Sequence, residues 1–360
     1  MSIKRVIISG GGTGGHIYPA ISIANALKEI DATIEFLFVG AEGKMEMEKV
    51  PKAGFKIIGL PIVGIQRTQV WKNILFPFKL AKSLLLSAKI LRDFKPDVAV
   101  GVGGYASGPL LLAARFLGIP YYIQEQNSFA GITNKALASK AEHIFVAYPG
   151  MEKFFPAHKI TLSGNPVRKD LINAKGKKEQ AAVHFNLNPA LKTILIIGGS
   201  QGARTINQGI LAGLDRLTEA GIQVIWQTGI AFEATAKQAT AGHANIYISA
   251  FIYEMDLAYA MADLVISRAG ASSVSEICLI GKASILVPLP SAAEDHQTEN
   301  AKSLVSQNAA ILVRDADVKE QLISEAIQAI QTDLSTLEKN SLRLAKPNAA
   351  HEIAQSILHA

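Results

Sequence analysis

The chain has a single cysteine, Cys278, in 360 residues, so it can close no disulfide within itself and suits a reducing compartment. Charge is also sparse: Asp, Glu, Lys and Arg supply 18% of residues against 49% hydrophobic, a balance that excludes a disordered chain. No apolar run is long enough to span a bilayer. The charge-free candidate for such a span, Val98 to Ala114, is broken by four glycines and Pro109. The opening Met1-Ser2-Ile3-Lys4-Arg5 leads into a short apolar run ending at Ile8, less than a secretory signal needs.

Short Ile- and Val-rich runs alternate with longer helical patterns, which predicts βαβ units and parallel sheets. Strands are expected at Val6–Ile8, Ile34–Val39, Ile57–Leu60, Val98–Val102, Tyr121–Ile123 and Ile144–Val146. The stretch Asn173–Gln180 is polar and lysine-rich, and the pattern then restarts at Thr193–Ile197, Gln223–Trp226, Ile246–Ile248, Leu264–Ile266, Ser284–Val287 and Ala310–Val313. Two Rossmann-like α/β domains facing across a cleft are expected, over 1–164 and 165–344. An amphipathic C-terminal helix within 345–360 is expected to pack back on the first.

Three glycine loops follow predicted strands: Gly10-Gly11-Gly12-Thr13-Gly14-Gly15-His16, Gly101-Val102-Gly103-Gly104-Tyr105 and Gly198-Gly199-Ser200-Gln201-Gly202. Glycine lets backbone approach an oxygen-rich ligand, and helix N-termini favour anions. Neither helix-leading loop ends in Gly-Lys-Ser/Thr, which excludes a P-loop. Gly10, Gly12 and Gly15 satisfy G-x-G-x-x-G, and Glu42 after the second strand keeps a dinucleotide-binding dehydrogenase or sensor open. Loops at the carboxyl ends of strands in both halves instead suit a diphosphate ligand together with a second substrate.

Taken in order, Gly11-Gly12-Thr13-Gly14-Gly15-His16, Gly103-Gly104-Tyr105, Glu125-Gln126-Asn127, Gly164-Asn165-Pro166-Val167-Arg168, Gly198-Gly199-Ser200-Gln201-Gly202-Ala203, Ser267-Arg268-Ala269-Gly270-Ala271, Ser275-Glu276 and Asp295-His296-Gln297 resemble the MurG family. These are the undecaprenyl-diphospho-muramoylpentapeptide β-N-acetylglucosaminyltransferases. The resemblance implies the GT-B fold and inverting transfer of N-acetylglucosamine from UDP-N-acetylglucosamine to the muramoyl 4-hydroxyl of an undecaprenyl-linked muramoyl-pentapeptide. UDP-N-acetylglucosamine is then a substrate, and no cofactor is implied. Other GT-B UDP-sugar transferases with a lipid or natural-product acceptor remain the alternative.

An inverting displacement needs a base and stabilisation of departing UDP. The resemblance offers His16 or Glu125 as the base, and places Thr13, Gly14, Gly15 and Asn127 at the sugar, with Gly104 and Tyr105 on the acceptor side. It assigns Arg168 and Ser200 to the diphosphate, the Ile252 backbone to uracil, Glu276 to ribose, Ser273 (beside Ser272) to the α-phosphate and Gln297 to the donor sugar. Where the family often carries histidine before the glutamate, this chain has Gln124, so no role for that imidazole carries over. Asp315-Ala316-Asp317 is read as turn and helix-cap chemistry, not as a metal site.

Net charge is +6 with pI near 9.2, and no nucleic-acid-binding motif accompanies it. Between Arg67 and Lys95 lie seven basic residues and one acidic residue, interleaved with Trp71, Ile74, Leu75, Phe76, Phe78 and Leu84-Leu85-Leu86. That mixture predicts contact of Trp71–Phe78 with the anionic inner face of the cytoplasmic membrane, with Leu84–Leu91 buried as an ordinary helix face.

Overall fold

The computed structural model describes residues 3–12, 14–64, 74, 76–167, 171, 174–199, 202–292 and 295–359. The chain divides into two compact units: Met1–Val167 with Lys346–Ala360, and Arg168–Ala345. Each is built on one parallel sheet.

The first sheet contains β1 (Arg5–Ser9), β2 (Glu35–Ala41), β3 (Lys56–Leu60), β4 (Val98–Gly101), β5 (Tyr121–Glu125), β6 (His143–Val146) and β7 (Ile160–Leu162). Their order is β3-β2-β1-β4-β5-β6-β7. The second contains β8 (Thr193–Ile197), β9 (Gln223–Gln227), β10 (Ile246–Ser249), β11 (Leu264–Ser267), β12 (Ala283–Leu286) and β13 (Ile311–Leu312), in the order β10-β9-β8-β11-β12-β13. Central strands are buried on both faces, as Thr193–Ile197 is throughout, which is why they read as unbroken apolar runs without alternation. The edge strand β7, Ile-Thr-Leu, has no counterpart among the expected strands. It is three residues long and largely exposed, so no apolar run announces it.

Strand order reverses between β1 and β4 in the first unit and between β8 and β11 in the second. Crossovers on the two sides of such a point lie on opposite sheet faces, and in open α/β sheets ligands bind in the crevice outside the carboxyl ends there. The loops so placed are Gly10–His16 with Gly101–Tyr105, and Gly198–Gly202 with Ser267–Gly270.

The first unit has core on both faces of its sheet. One cluster joins Ile7, Val39, Leu110 and Ile123. The other joins Val6, Ile8, Ile17, Ile23 and Leu27 to Ala350, Ile353, Ala354 and Ile357. The C-terminal helix Ala349–Leu358 thus lies on α1 (Gly14–Ile30) and completes the core of the first unit from the far end of the chain. The short helix α2 (Glu46–Lys52) links β2 to β3.

The next helix buries a narrow face. In α3 (Phe76–Phe94) only Ser83, Ser87, Ile90 and Leu91 are buried, while Phe78 is 74% and Leu85 75% exposed. Serines four residues apart turn inward, and their small side chains suit close packing of α3 against the helix Ser107–Phe116. Within Leu84–Leu91, Ile90 and Leu91 are buried and Leu86 packs partly on the core, the ordinary buried helix face expected there, while Leu85 lies outside it.

Replacing Ile353, fully buried between the C-terminal helix and α1, by alanine should destabilise the first unit by about 2–5 kcal/mol. A urea titration should show that unit's midpoint falling at unchanged slope.

Candidate functional site

In the first unit the chemistry gathers at His16, in the opening turn of α1. Its Nδ1 lies 3.0 Å from the Val102 carbonyl and 3.1 Å from Gln126 Oε1. The Gln126 amide nitrogen is committed elsewhere, to Val102 O at 2.6 Å and to the Gln124 side chain, so its oxygen faces the imidazole. Both partners of Nδ1 are acceptors. Nδ1 therefore carries a proton, and Nε2 has no partner among the described residues. The ring lies against Gly103, where a Cβ would come within 3.0 Å of Cε1 and where φ is +87°. Side chains other than glycine would crowd it.

Gln124, fully buried, donates to Asn165 Oδ1 at 3.1 Å, and Asn165 Nδ2 donates to the Gln126 carbonyl at 3.0 Å. The amides of Gln124, Gln126 and Asn165 thus form a chain behind His16. Sequence reasoning assigned no role to Gln124 and missed Gln126. Their signal was polar residues on a strand end that the sheet buries.

Glu125 sits differently. It is 2% exposed, and its Oε1 accepts from the Asn127 backbone and side chain at 3.1 and 3.2 Å. Its Oε2 accepts from Gly131 N at 3.0 Å and Asn134 Nδ2 at 2.8 Å. Four N–H donors hold this carboxylate in the loop that carries Asn127. Gly104 (φ +79°) touches the first loop, since a Cβ there would fall 2.3 Å from Gly11 O. Tyr105 packs its ring against Gly12 and Gly64. Burial, and then the negative charge of Glu46, push its phenol above the usual tyrosine range, so it stays neutral. Gly14 meets only Tyr18, at 3.4 Å. Gly15 is half-buried. Thr13 lies outside the described residues.

In the second unit, Gly199 has φ +78° and a Cβ there would meet none of the described residues within 4 Å, whereas a Cβ on Gly202 would strike Thr228 O at 2.1 Å. Ser200, Gln201 and Arg168 lie outside the described residues. Gln227, missed from sequence, ties this loop to Ile252: its amide nitrogen donates to Gly199 O at 2.9 Å, and its oxygen accepts from Ile252 N at 3.1 Å. The Ile252 N–H is therefore already used. Glu276 accepts the hydroxyl of buried Tyr259 at Oε2, 3.2 Å away.

The helix Ala271–Ile280 starts at Gly270, whose φ of −65° any residue could adopt and whose Cβ would meet none of the described residues within 4 Å. Neither packing nor backbone requires glycine there. Beside it, Ser273 is half-buried, and Ser272 Oγ is buried without a hydrogen-bond partner among the described residues. Gln297 accepts from Leu289 N at 3.0 Å, which leaves its amide nitrogen to donate.

Asp315 and Asp317 each have an arginine. Arg268, 8% exposed, donates to Asp315 at 2.5 Å and to the carbonyls of Val287 and Pro288 at 3.2 Å, and Arg314 donates to Asp317 at 2.6 Å. Thr205 completes the Asp315 carboxylate at 3.2 Å. No group of three metal-ligating side chains occurs among the described residues. Cys278 is buried with its thiol pushed up to about 11 by desolvation, which keeps it protonated near neutrality.

Both units have counterparts among known proteins. Residues 6–146 match the glycosyltransferase family 28 N-terminal domain, and residues 193–357 match its C-terminal domain. A UDP-N-acetylglucosamine–N-acetylmuramyl-(pentapeptide) pyrophosphoryl-undecaprenol N-acetylglucosamine transferase of Parabacteroides distasonis is 54% identical, across 98% of this chain and 97% of its own. The chain belongs to the MurG family. The transferase of the same description from Bacteroides fragilis is also 54% identical, with 98% and 95% covered. The crystal structure of Acinetobacter baumannii MurG superposes with TM-score 0.77 at 30% identity, covering 99% of this chain and all of that one (100%). Membership of the MurG family carries the GT-B fold, two Rossmann-like units of α/β structure, and leaves the dinucleotide-cofactor reading, whose acidic residue Glu42 is exposed beyond β2, without support.

Asp315→Ala should leave the Arg268 guanidinium buried and unpaired and cost about 3–5 kcal/mol. Thermal melting should show that loss with or without chelator, whereas a metal-holding pair would respond to chelation.

Proposed function

We infer that this chain catalyses inverting transfer of N-acetylglucosamine from UDP-N-acetylglucosamine to the 4-hydroxyl of the muramoyl sugar of undecaprenyl-diphospho-muramoylpentapeptide, the step from lipid I to lipid II in peptidoglycan synthesis. The observation that carries it is 54% identity along nearly the full length of transferases so named.

His16 is the base in this reading. Its proton-bearing Nδ1 is tied to Val102 and Gln126, so Nε2 is free to accept the proton of the attacking hydroxyl. As the hydroxyl oxygen bonds to C1 of the sugar, the C1–O bond to the β-phosphate breaks and its electron pair leaves with UDP. Glu125, whose two oxygens are both filled by N–H donors, acts by positioning Asn127 and its loop. Asn127 and residues 13–15 meet the sugar, and Gly104 and Tyr105 lie toward the acceptor. In the second unit, Arg168, Ser200 and the amides of the Gly198–Gly202 loop receive the diphosphate. Charge grows on UDP as the bond breaks, so interactions there stabilise the transition state more than the ground state. The open N-terminus at Gly270, with Ser273, suits the α-phosphate. With Ile252 N–H held by Gln227, the Ile252 carbonyl is the backbone acceptor for the uracil N3–H. Glu276 takes the ribose hydroxyls and Gln297 the sugar.

The chain works at the cytoplasmic side of the cell membrane as a peripheral protein. No described helix is long and apolar enough to cross a membrane. Instead Ile74 (78% exposed) and, on α3, Phe78 and Leu85 stand out near the exposed Lys82 and Lys89, a mixture that suits anionic lipid. Trp71 lies outside the described residues, and Phe76 packs partly on the core, so Ile74 and Phe78 carry the contact among the residues described.

UDP release should depend on a lipid-linked muramoyl-pentapeptide acceptor and on the N-acetylated donor, with UDP-glucose inactive. His16→Ala should lower kcat about 100- to 10,000-fold while titration shows UDP binding retained; acceptor-independent release, or full turnover by His16→Ala, counts against the reading. For the membrane, an Ile74→Ser/Phe78→Ser protein should sediment less with anionic vesicles than wild type, and equal sedimentation would remove this contact from the account.

A further inference from the structure

The mechanism leaves one buried carboxylate unused. Glu46 opens α2 and is 0% exposed, yet it pairs with no cation among the described residues. Its side chain enters the first glycine loop instead. Oε1 accepts from Ala41 N at 3.0 Å, and the Gly12 N–H lies 3.2 Å from Oε1 and 3.1 Å from Oε2. Glycines make the room. A Cβ at Gly11 would fall 2.1 Å from Glu46 Oε1, and one at Gly40 would fall 2.5 Å from its Cγ.

A buried carboxylate costs several kcal/mol unless its lone pairs are filled, so its position between two backbone amides needs a compensating purpose. The amide it holds belongs to Gly12, whose φ of +91° turns the chain immediately before Thr13 and α1. Turning that N–H inward sets the direction in which residues 13–16 leave β1. The space at Gly11, which sequence alone reads as room for a ligand, is filled by the protein's own anion.

We propose that Glu46 is a positioning residue for transfer: it anchors the Gly12 amide and thereby aims the loop and His16, and Gly11 is glycine because Glu46 occupies its place. The proposal rests on the transferase reading. It is tested by a cycle of Glu46→Ala, Gly11→Ala and the double variant, with Glu46→Gln as the conservative change that keeps one oxygen acceptor. Each single variant should lose about 100-fold in kcat/KM, the scale set by misplacing a reacting group by about 1 Å, while UDP affinity, a property of the second unit, stays at the wild-type value. Gly11→Ala should cost nothing further once Glu46 is gone, and Glu46→Gln should recover part of the lost turnover. The proposal is overturned if Gly11→Ala costs the same factor with and without Glu46, which would mean that a ligand fills the space, or if Glu46→Ala turns over like wild type. Should Glu46→Ala fail to fold, Glu46→Asp, which withdraws the carboxylate by one methylene, carries the same comparison. If the wild-type chain transferred no sugar, the transferase reading would fall by itself, and the coupling of Gly11 to Glu46 would still be read as non-additive melting temperatures.

Discussion

A parallel sheet whose order doubles back from its first strand sends neighbouring crossovers to opposite faces, and the crevice this opens at the carboxyl ends is where the rest of this structure is organised. In the first unit the reversal falls between β1 and β4, in the second between β8 and β11. In the first unit the two loops at this point meet, with Gly104 against Gly11 and Gly103 against the His16 ring. The glycine loops of both units hang from strand ends that buried, two-sided apolar runs hold in register.

Around that frame the polar groups are used in a consistent way. Buried carboxylates and carboxamides pin loops. Glu125 gives both oxygens to its own loop, Glu46 holds Gly12, and Gln227 ties Gly199 to Ile252. Such networks are favourable only when filled, because an unpaired polar group in a low-dielectric interior is costly. Filled, they fix directions: His16 is left with Nδ1 tied and Nε2 without a partner among the described residues. In the role of base proposed for it, a side chain held this way needs little reorganisation when a proton arrives.

Glycine illustrates how one residue type serves different ends. Gly103 admits the His16 ring, Gly104 admits the backbone of Gly11, and Gly11 admits Glu46, so these three answer to internal packing. A Cβ at Gly199 or Gly270 would meet none of the described residues within 4 Å, and at Gly270 the backbone angle makes no demand either. In the sequence all five look alike. The contacts separate those that serve the fold from those where a side chain would meet none of the described residues.

The α/β class, every described strand but β7 and the placing of glycine loops at strand ends were all legible in the amino-acid order, because buried parallel strands must be continuous apolar runs and the turns after them need glycine. The short, exposed strand β7 escaped because three residues, the middle one Thr161, leave no such run. The ordered motifs also carried the family. Which groups those motifs place in contact was settled by folding. Nothing in the spacing of Glu46 from Gly11, of Gln126 from His16 or of Gln227 from Ile252 reports that they touch, since each pair is joined through sheet pairing between distant segments. Likewise the inward serines of α3 and its exposed Phe78 and Leu85 follow from the helix it packs against. Hydrophobic pattern records which residues can be buried, whereas the partner surface settles which ones are.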